Sequence, residues 1–368
     1  MERSEYLAAV ERVVVKVGTA VVTGADGTLD ADRVSALAEQ IDKVVSGGRQ
    51  VVLVTSGAIG AGVGELGLAQ RPSALPELQA AASVGQSHLI EAYNRCFRRH
   101  GHHAAQILVT REDFDDRTRY LNVRNALNAL FELGAIPVVN ENDTVSVDEI
   151  RFGDNDLLSA LVASLLGVQL LVLLTVVDGL LDDGGHVVPC VERVTDETLA
   201  LDHGRKTALG TGGMSSKLEA VRLVTDAGEA AIIADGGAPD VLPRLMAGDE
   251  LGTFFLPRPR RTPSWKRWFA ARTSRGTIHV DEGAKKALVE RGKSLLPSGI
   301  VSVSGSFEQG DTVQIAGPDG RAFAQGLTNL SAAELNEVRG MQSHQVREAL
   351  GDAAYTEAVH RDNMLIRK

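Results

Sequence analysis

The chain has 368 residues, of which 44% are hydrophobic and 23% charged, and its formal net charge at pH 7 is −10. This length and composition exclude a protein with one small core and predict a globular protein with more than one domain. An excess of positive over negative charge is confined to one short segment, described below, and the chain on either side of it is acidic on balance.

The chain carries no pattern typical of export or of a membrane span. Residues 1–10 lack a continuous apolar run, so we expect neither a signal peptide nor a transit peptide. The apolar stretch 157–177 is interrupted by Ser, Gly and Gln, which favours a buried helix followed by a buried strand. Cys96 and Cys190 lie far apart and are expected to be core thiols. These features predict a cytoplasmic protein without a membrane partner.

Between residues 12 and 256, short β-branched runs alternate with longer helical stretches. This alternation predicts an α/β domain whose open, mostly parallel sheet is sandwiched by helices. Asp30 and Asp32 can cap the first long helix, and Gly47-Gly48 can end it. Ligands of such sheets bind beyond the carboxyl ends of the strands. The predicted strands are Arg12–Val17, Gln50–Thr55, Ala104–Val109, Ile136–Asn140, Leu170–Val176 and Ala230–Ala234.

The composition changes after Leu256, where prolines and seven Arg and Lys residues without an acid occupy residues 257–275. We predict one helix at Ala284–Arg291 and strands at 300–303, 312–315 and 322–327 in the segment that follows. The predicted domains are therefore a catalytic domain at 1–257, a basic linker at 258–276 and a small β-rich domain at 277–368.

Two strand ends carry residue types that bind anions. Lys16 lies in a predicted buried strand, which is costly unless its ammonium group meets an anion, and Gly18 lets backbone amides approach one. Ser56, Gly57 and Ala58 begin a helix, whose amides and serine hydroxyl can hold a carboxylate or a phosphate. The alternatives are a surface lysine on an edge strand and an ordinary tight connection.

Acidic and amide side chains cluster in the middle of the chain. Asp143 follows a strand, and Asp154, Asn155 and Asp156 begin a helix, so the two groups can converge. Such a cluster suits a substrate ammonium group, a lysine partner or a metal ion. The alternative is that these residues cap helices and form turns.

A polar, glycine-rich loop at residues 209–217 ends in Lys217, just before a predicted helix. Its amides, hydroxyls and lysine could hold an anion, although it does not have the G-x-x-x-x-G-K-[ST] order of a P-loop. The alternative is a mobile glycine-rich turn.

Taken in order, these segments resemble the amino acid kinase family, and the tail is similar to the PUA module that many of its glutamate-phosphorylating members carry. The likeness spans nearly the whole chain. The segments that carry it are VVVKVGTAVVTG from Val13, VVLVTSGAIGAG from Val51, AAASVGQSHLIEAY from Ala80, VNENDTVSVDEIRFGDNDLLSALVA from Val139, LGTGGMSSKLEAV from Leu209 and VDEGAKKALVERGKSLLPSGIVSVSGSFEQGD from Val280.

The resemblance implies the amino acid kinase fold, followed by a PUA-like domain. The implied activity is ATP-dependent phosphorylation of the side-chain carboxylate of L-glutamate to L-glutamyl 5-phosphate, the first step of proline biosynthesis. ATP would be the co-substrate, with Mg²⁺ and no metal-binding side chain assigned. The implied partners are glutamyl phosphate reductase, proline as a feedback inhibitor and further copies of the chain in a homo-oligomer.

The resemblance also implies roles for individual residues. The catalytic residues would be Lys16 and Lys217, which contact the transferring phosphoryl group, and Asp156, which orients both lysines. The substrate-binding residues would be Ser56, Gly57, Ala58, Asp143, Asp154 and Asn155. The ATP-binding residues would be Lys16, Gly18, Thr175, Val176, Thr211, Gly212, Gly213, Met214, Ser215, Ser216 and Lys217. Val176 stands where family members often have Asp, and the 181–189 stretch is shortened.

Two alternatives remain at this point. A kinase of the same fold could phosphorylate acetylglutamate, aspartate, carbamate or UMP, although the NENDT and GDND segments favour glutamate. The PUA-like domain could add an RNA-binding role, but the basic residues lie in the linker and not in that domain, so we do not expect RNA as a main partner.

Overall fold

The computed structural model describes residues 2–24, 26–145, 155–201, 213–258, 274–351 and 355–366. These residues form two compact units, one before residue 259 and one after residue 273.

An eight-stranded sheet forms the centre of the first unit, in the order β3-β4-β2-β1-β5-β7-β8-β6. The first six strands in this order are parallel, β8 is antiparallel to β7, and β6 pairs in parallel with β8. All six predicted strands are confirmed to within one residue at each end. The strands are β1 (Arg12–Val17), β2 (Gln50–Val54), β3 (Ala104–Val109), β4 (Ile136–Glu141), β5 (Leu170–Thr175), β6 (Cys190–Val191), β7 (Ala230–Asp235) and β8 (Thr253–Phe255).

The last two strands of this order were not predicted, because they contain only two and three residues and show no alternation of their own. Cys190 begins β6 at the edge of the sheet and is exposed, so its prediction as a core thiol was wrong. Cys96 is buried, as predicted.

Helices cover both faces of this sheet. One core lies between the sheet and α3, α5 and α11, and a second lies on the face covered by α7, α8 and α10. Among the described residues, no helix is long and apolar enough to cross a membrane. The helices are α1 (Arg3–Ala8), α2 (Thr19–Val22), α3 (Ala31–Ser46), α4 (Ala58–Glu65), α5 (Leu75–Arg99), α6 (Glu112–Asp115), α7 (Arg117–Glu132), α8 (Asn155–Leu166), α9 (Asp196–Ala200), α10 (Met214–Ala227) and α11 (Val241–Ala247).

The alternation of β1 decides where its lysine points. Val13 and Val15 lie in the core under α3, whereas Val14 lies in the core under α8 and α10. Because successive side chains of a strand point to opposite faces, Lys16 lies on the same face as Val14. The lysine is therefore directed toward the N-terminal ends of α8 and α10, near the carboxyl end of the strand.

Two glycines allow α4 and α5 to pack backbone against backbone. A Cβ atom at Gly85 would overlap the carbonyl oxygen of Ala58 and the amide nitrogen of Gly62. A Cβ atom at Gly62 would likewise overlap the backbone of Ala81. Because only glycine has no Cβ, this close approach depends on both residues. It fixes the N-terminus of α4 against the middle of α5.

The second unit is built on a five-stranded sheet in the order β10-β9-β11-β12-β13. This confirms a small β-rich domain, but the prediction of a single helix was wrong. Ser331 and Glu334 form a capping box that starts a further helix, and Gln342 and Gln345 start another. The elements are β9 (Gly276–Val280), α12 (Glu282–Arg291), β10 (Ile300–Gly305), β11 (Thr312–Ala316), β12 (Ala322–Leu327), α13 (Ala332–Val338), α14 (Ser343–Leu350) and β13 (Met364–Ile366).

Candidate active site

One buried carboxylate joins two buried lysines at the carboxyl edge of the first sheet. Asp156 Oδ1 lies 2.7 Å from Lys16 Nζ, and Asp156 Oδ2 lies 3.2 Å from Lys217 Nζ. Asp156 is 0% exposed, Lys16 5% and Lys217 6%. The structure therefore brings together three residues that are up to 201 positions apart in the sequence. β1, α8 and α10 each contribute one of them.

The charges of this cluster perturb one another. Burial lowers the pKa of Lys16, Asp156 opposes that effect, and the nearby Lys217 adds to it. Burial alone would raise the pKa of Asp156, but the two lysines and the Ser216 hydroxyl outweigh it and hold that pKa below its ordinary value. Asp156 is therefore ionised at neutral pH, so it can neutralise only one of the two ammonium groups.

The N-terminal turn of α10 completes the coordination of this carboxylate. Ser216 Oγ donates to Asp156 Oδ2 at 2.7 Å and lies 3.0 Å from the carbonyl oxygen of Gly213. Lys217 Nζ also lies 3.3 Å from that carbonyl oxygen. Met214 packs against the apolar core beneath, and Ser215 is exposed. Thr211 and Gly212, which were predicted to bind ATP, lie outside the described residues.

A second cluster, made of polar side chains and helix N-terminal amides, lies over β2 and β4, beside the cationic cluster. The side-chain amide nitrogen of Asn155 donates to Ser56 Oγ at 2.9 Å and to the carbonyl oxygen of Thr55 at 3.0 Å. Gly57 has a φ of 104° and is the N-cap of α4, so Ala58 begins that helix. The predicted residues Ser56, Gly57, Ala58 and Asn155 therefore lie together, and Asp154 lies outside the described residues.

Asp143 is a half-buried carboxyl just beyond the end of β4. Burial raises its pKa to about 6, and the positive charge of Arg71 opposes this shift only in part. A carboxyl group with such a pKa gains from a cation placed beside it. Asp143 therefore suits an ammonium ligand, which is one of the possibilities that the sequence leaves open for this cluster.

The raised pKa gives a testable effect of pH. We expect Asp143→Asn to raise the melting temperature of the unliganded protein at pH 8 and to leave it unchanged near pH 4. The folded pKa of about 6 exceeds the unfolded value of about 3.9, so ionisation of Asp143 disfavours the folded state. This penalty is absent below the unfolded pKa, grows as the pH rises, and is complete above the folded pKa.

Calorimetric melting at both pH values checks this expectation. Asp26→Asn is the control with the opposite sign, because hydrogen bonds from Thr28 lower the pKa of Asp26. Its substitution should lower the melting temperature at pH 8 and not at low pH. A gain for Asp143→Asn that is equal at both pH values would contradict the assignment.

The remaining residues predicted to bind ATP are not all brought together. The amide of Gly18 donates to the carbonyl oxygen of Leu174 at 3.2 Å, so it is not available to donate to a nucleotide. Gly18 instead leaves room beside Lys16 Nζ, because it has no side chain. Thr175 is buried at the end of β5. Val176 is exposed and lines a cavity of roughly 490 Å³ whose walls come from α2, α3 and residues 235–240, and not from α10.

Several residues at this site were not singled out from the sequence. Asn140 Oδ1 accepts from the Asn155 amide at 3.1 Å, and Asn140 Nδ2 donates to Gln86 Oε1 at 2.7 Å. The hydroxyl groups of Thr55 and Tyr93 are 2.9 Å apart, and both residues are fully buried. Gln86 and Tyr93 lie on α5, and no sequence pattern indicates that this helix reaches the site.

The fold and the site together define an α/β protein with a buried cationic cluster at the carboxyl edge of a parallel sheet. The model of the amino acid kinase family matches residues 11–235, and the PUA domain model matches residues 276–350. The chain belongs to the amino acid kinase family.

Curated relatives extend this similarity over both units. Glutamate 5-kinase from Syntrophotalea carbinolica is 47% identical, and the alignment covers 100% of both chains. Glutamate 5-kinase from Moorella thermoacetica is 46% identical over 98% of this chain and 97% of its own. Glutamate 5-kinase from Pseudomonas entomophila is 46% identical over 97% of this chain and 98% of its own.

Proposed function

We propose that this protein transfers the γ-phosphoryl group of ATP to the side-chain carboxylate of L-glutamate. The product is L-glutamyl 5-phosphate, and the reaction is the first step of proline biosynthesis. Full-length similarity to curated glutamate 5-kinases supports this assignment. The single observation that carries the chemistry is the buried cluster of Lys16, Asp156 and Lys217.

The cluster holds an excess of positive charge in a place with little water. Two ammonium groups share one carboxylate, so one positive charge remains uncompensated among these buried side chains. Burying an uncompensated charge is costly, and a bound anion offsets that cost. A phosphoryl group between ATP and its acceptor is such an anion. Its transition state spreads negative charge over the phosphoryl oxygens, which Lys16 and Lys217 would stabilise.

The acceptor needs no general base. The side-chain carboxyl of glutamate has an ordinary pKa of about 4.3 and is already ionised at neutral pH, so a carboxylate oxygen can attack the phosphorus directly. The bond between the γ-phosphorus and the bridging oxygen breaks, and ADP leaves with the electron pair. Catalysis then depends on alignment and on neutralising charge, which is what the lysines and the helix N-termini can supply.

Mg²⁺ would accompany the nucleotide. Both oxygens of Asp156 already contact ammonium groups, so this carboxylate is occupied and is not a suitable metal ligand. The residues present therefore fit an ion held by the phosphates of ATP, where it would neutralise part of their charge. Asp156 would keep the two lysines apart and aimed at the phosphoryl group.

The polar cluster over β2 and β4 would bind the amino acid. Asp143 and Asn155 would receive its ammonium group, Ser56 would donate to a carboxylate, and the amides of Gly57 and Ala58 would stabilise negative charge. An acyl phosphate is rapidly hydrolysed, which favours a glutamyl phosphate reductase as the partner that consumes it. We further propose proline as the feedback inhibitor and a homo-oligomer as the assembly.

The same proposal assigns the domains. Residues 1–257 would form the catalytic domain, residues 258–276 a basic linker and residues 277–368 the PUA-like domain. The family models, at residues 11–235 and 276–350, support this division.

The proposal predicts that Lys217→Ala lowers kcat by about 10²–10³-fold, because a charge that stabilises the transferring group is lost. The assay is glutamate-dependent ADP release from MgATP, with hydroxylamine trapping of the acyl phosphate as a hydroxamate. Lys43→Ala is the matched control, since Lys43 forms an exposed pair with Asp240 and should leave activity unchanged. ADP release without hydroxamate, or activity only with another acceptor, would overturn the function and leave the fold intact.

A further inference from the structure

Three side-chain amides form a hydrogen-bonded chain behind the proposed amino-acid site. Gln86 Oε1 on α5 accepts from Asn140 Nδ2 at 2.7 Å, and Asn140 Oδ1 lies 3.1 Å from Asn155 Nδ2. The two hydrogens of that nitrogen are shared among Asn140 Oδ1, the carbonyl oxygen of Thr55 and Ser56 Oγ. Asn140 is buried, and Gln86 is partly buried. The chain crosses from α5 over the end of β4 to the first residue of α8.

A backbone carbonyl group sets the direction of every bond in this chain. The carbonyl oxygen of Thr55 can only accept, so the Asn155 atom 3.0 Å away is the amide nitrogen. The Asn140 atom that faces this nitrogen is then an oxygen, which turns the Asn140 amide nitrogen toward Gln86. Gln86 must therefore present its oxygen. Thr55 itself is held by Tyr93 from beneath.

With the amides oriented in this way, one acceptor and one donor are available to bind a ligand. Asn155 Oδ1 is buried, and within the described part of the chain no group donates to it. Ser56 Oγ accepts from Asn155, so its own hydrogen is left to donate elsewhere. The pocket thus offers one acceptor and one donor. These suit the ammonium group and a carboxylate of an amino acid, whereas a flipped Asn155 amide would turn its nitrogen toward the ammonium group.

The same face of α5 also contacts Thr144, at the far end of the segment 140–144 that begins with Asn140. Ser83 lies one turn before Gln86, and its hydroxyl group is 3.0 Å from that of Thr144. The two side chains therefore bracket residues 140–144, which include Asp143. The backbone contact of Gly85 with Ala58 fixes the position of α5 relative to α4. Gln86 thus extends from a helix whose position is set independently of the ligand.

We infer that Gln86 is a positioning residue for the amino-acid substrate, which acts through Asn140 to hold the Asn155 amide oxygen toward the ammonium group. This inference rests on the proposed function, because that function defines the ligand. Gln86 acts through other side chains, so its loss should weaken substrate binding without changing phosphoryl transfer. Nucleotide binding should not depend on it.

Steady-state kinetics of Gln86→Met test the inference. Methionine keeps the length of the side chain and removes the acceptor, so the KM for glutamate should rise by about 5–10-fold. The KM for ATP and kcat should stay close to the wild-type values, whereas the melting temperature should fall slightly, because the buried Asn140 amide loses its acceptor. Gln86→Glu keeps an oxygen acceptor and should restore a KM for glutamate within about two- to threefold of wild type. Ser87→Ala, an exposed neighbour on α5, is the control.

Each failure has a distinct outcome. An unchanged KM for glutamate in Gln86→Met would overturn the inference. Equal changes in the KM for ATP and in kcat, or a Gln86→Glu enzyme as impaired as Gln86→Met, would also overturn it, because they indicate a general structural role. Gln86→Ala, which adds no bulk, gives the same readout if the methionine variant does not fold. A wild-type enzyme that forms no glutamyl hydroxamate would instead overturn the proposed function.

Discussion

Replacing Asp156 by asparagine is expected to lower the free energy of unfolding by about 3–5 kcal/mol, because it leaves two buried ammonium groups without a counter-charge. Lys16 and Lys217 are almost fully buried, so water cannot compensate for the loss. Urea unfolding at neutral pH measures the change. The variant should also lose glutamate-dependent hydroxamate formation, since the two lysines would repel each other.

The effect of bound anions on the melting temperature provides a second, independent test of Asp156→Asn. MgATP or sulfate should raise the melting temperature of Asp156→Asn more than that of the wild type, because a bound anion replaces the missing carboxylate charge. Asp240→Asn is the matched control. It breaks the exposed Lys43–Asp240 pair, and asparagine tolerates the φ of 50° at that position, so no measurable loss is expected. Equal losses from both substitutions would contradict the role of the buried cluster.

Gly85→Ala is expected to be strongly destabilising, although Gly85 lies outside the cationic cluster. The new Cβ atom would meet backbone atoms of Ala58 and Gly62, which cannot move aside as a side chain can. Overpacking that shifts the backbone typically costs about 1–3 kcal/mol. The shift would move the N-terminus of α4, so the catalytic efficiency with glutamate should fall as well.

Urea unfolding and the KM for glutamate check this second expectation. Ser87→Ala adds no bulk to the same helix and should change neither quantity. A Gly85→Ala protein with wild-type stability would show that α4 and α5 can separate at little cost, and it would remove the basis for treating α5 as a fixed support.

The regular elements of the first unit could be predicted because their signals are local. β-branched runs of five or six residues mark the buried parallel strands, and Asp30 marks the start of α3 by accepting from two amides of its first turn. The prediction failed where such signals were short or overlooked. β6 and β8 contain two and three residues, and the unpredicted helix α13 begins at a capping box of Ser331 and Glu334 within a β-rich segment.

The sequence by itself determined the residue types of the site and the strand ends at which they lie. It predicted Lys16 near the end of a strand, Ser56 and Asp143 just beyond strands, and Asn155 and Asp156 at the start of a helix. Because the carboxyl ends of parallel strands share one edge, these residues could be expected to lie near one another. The segments that carry the family resemblance implied roles for these residues, and those roles stay predictions.

Only the tertiary structure decided which partners meet and in which orientation. Gln86 and Asn140 are 54 positions apart, and a glutamine within a helix has no pattern that indicates its partner. The direction of the amide chain depends on one carbonyl oxygen, at Thr55, and the closeness of α4 and α5 depends on two glycines. Hydrogen bonding and steric contact act at short distances in space and not along the chain, so neither could be read from the order of the residues.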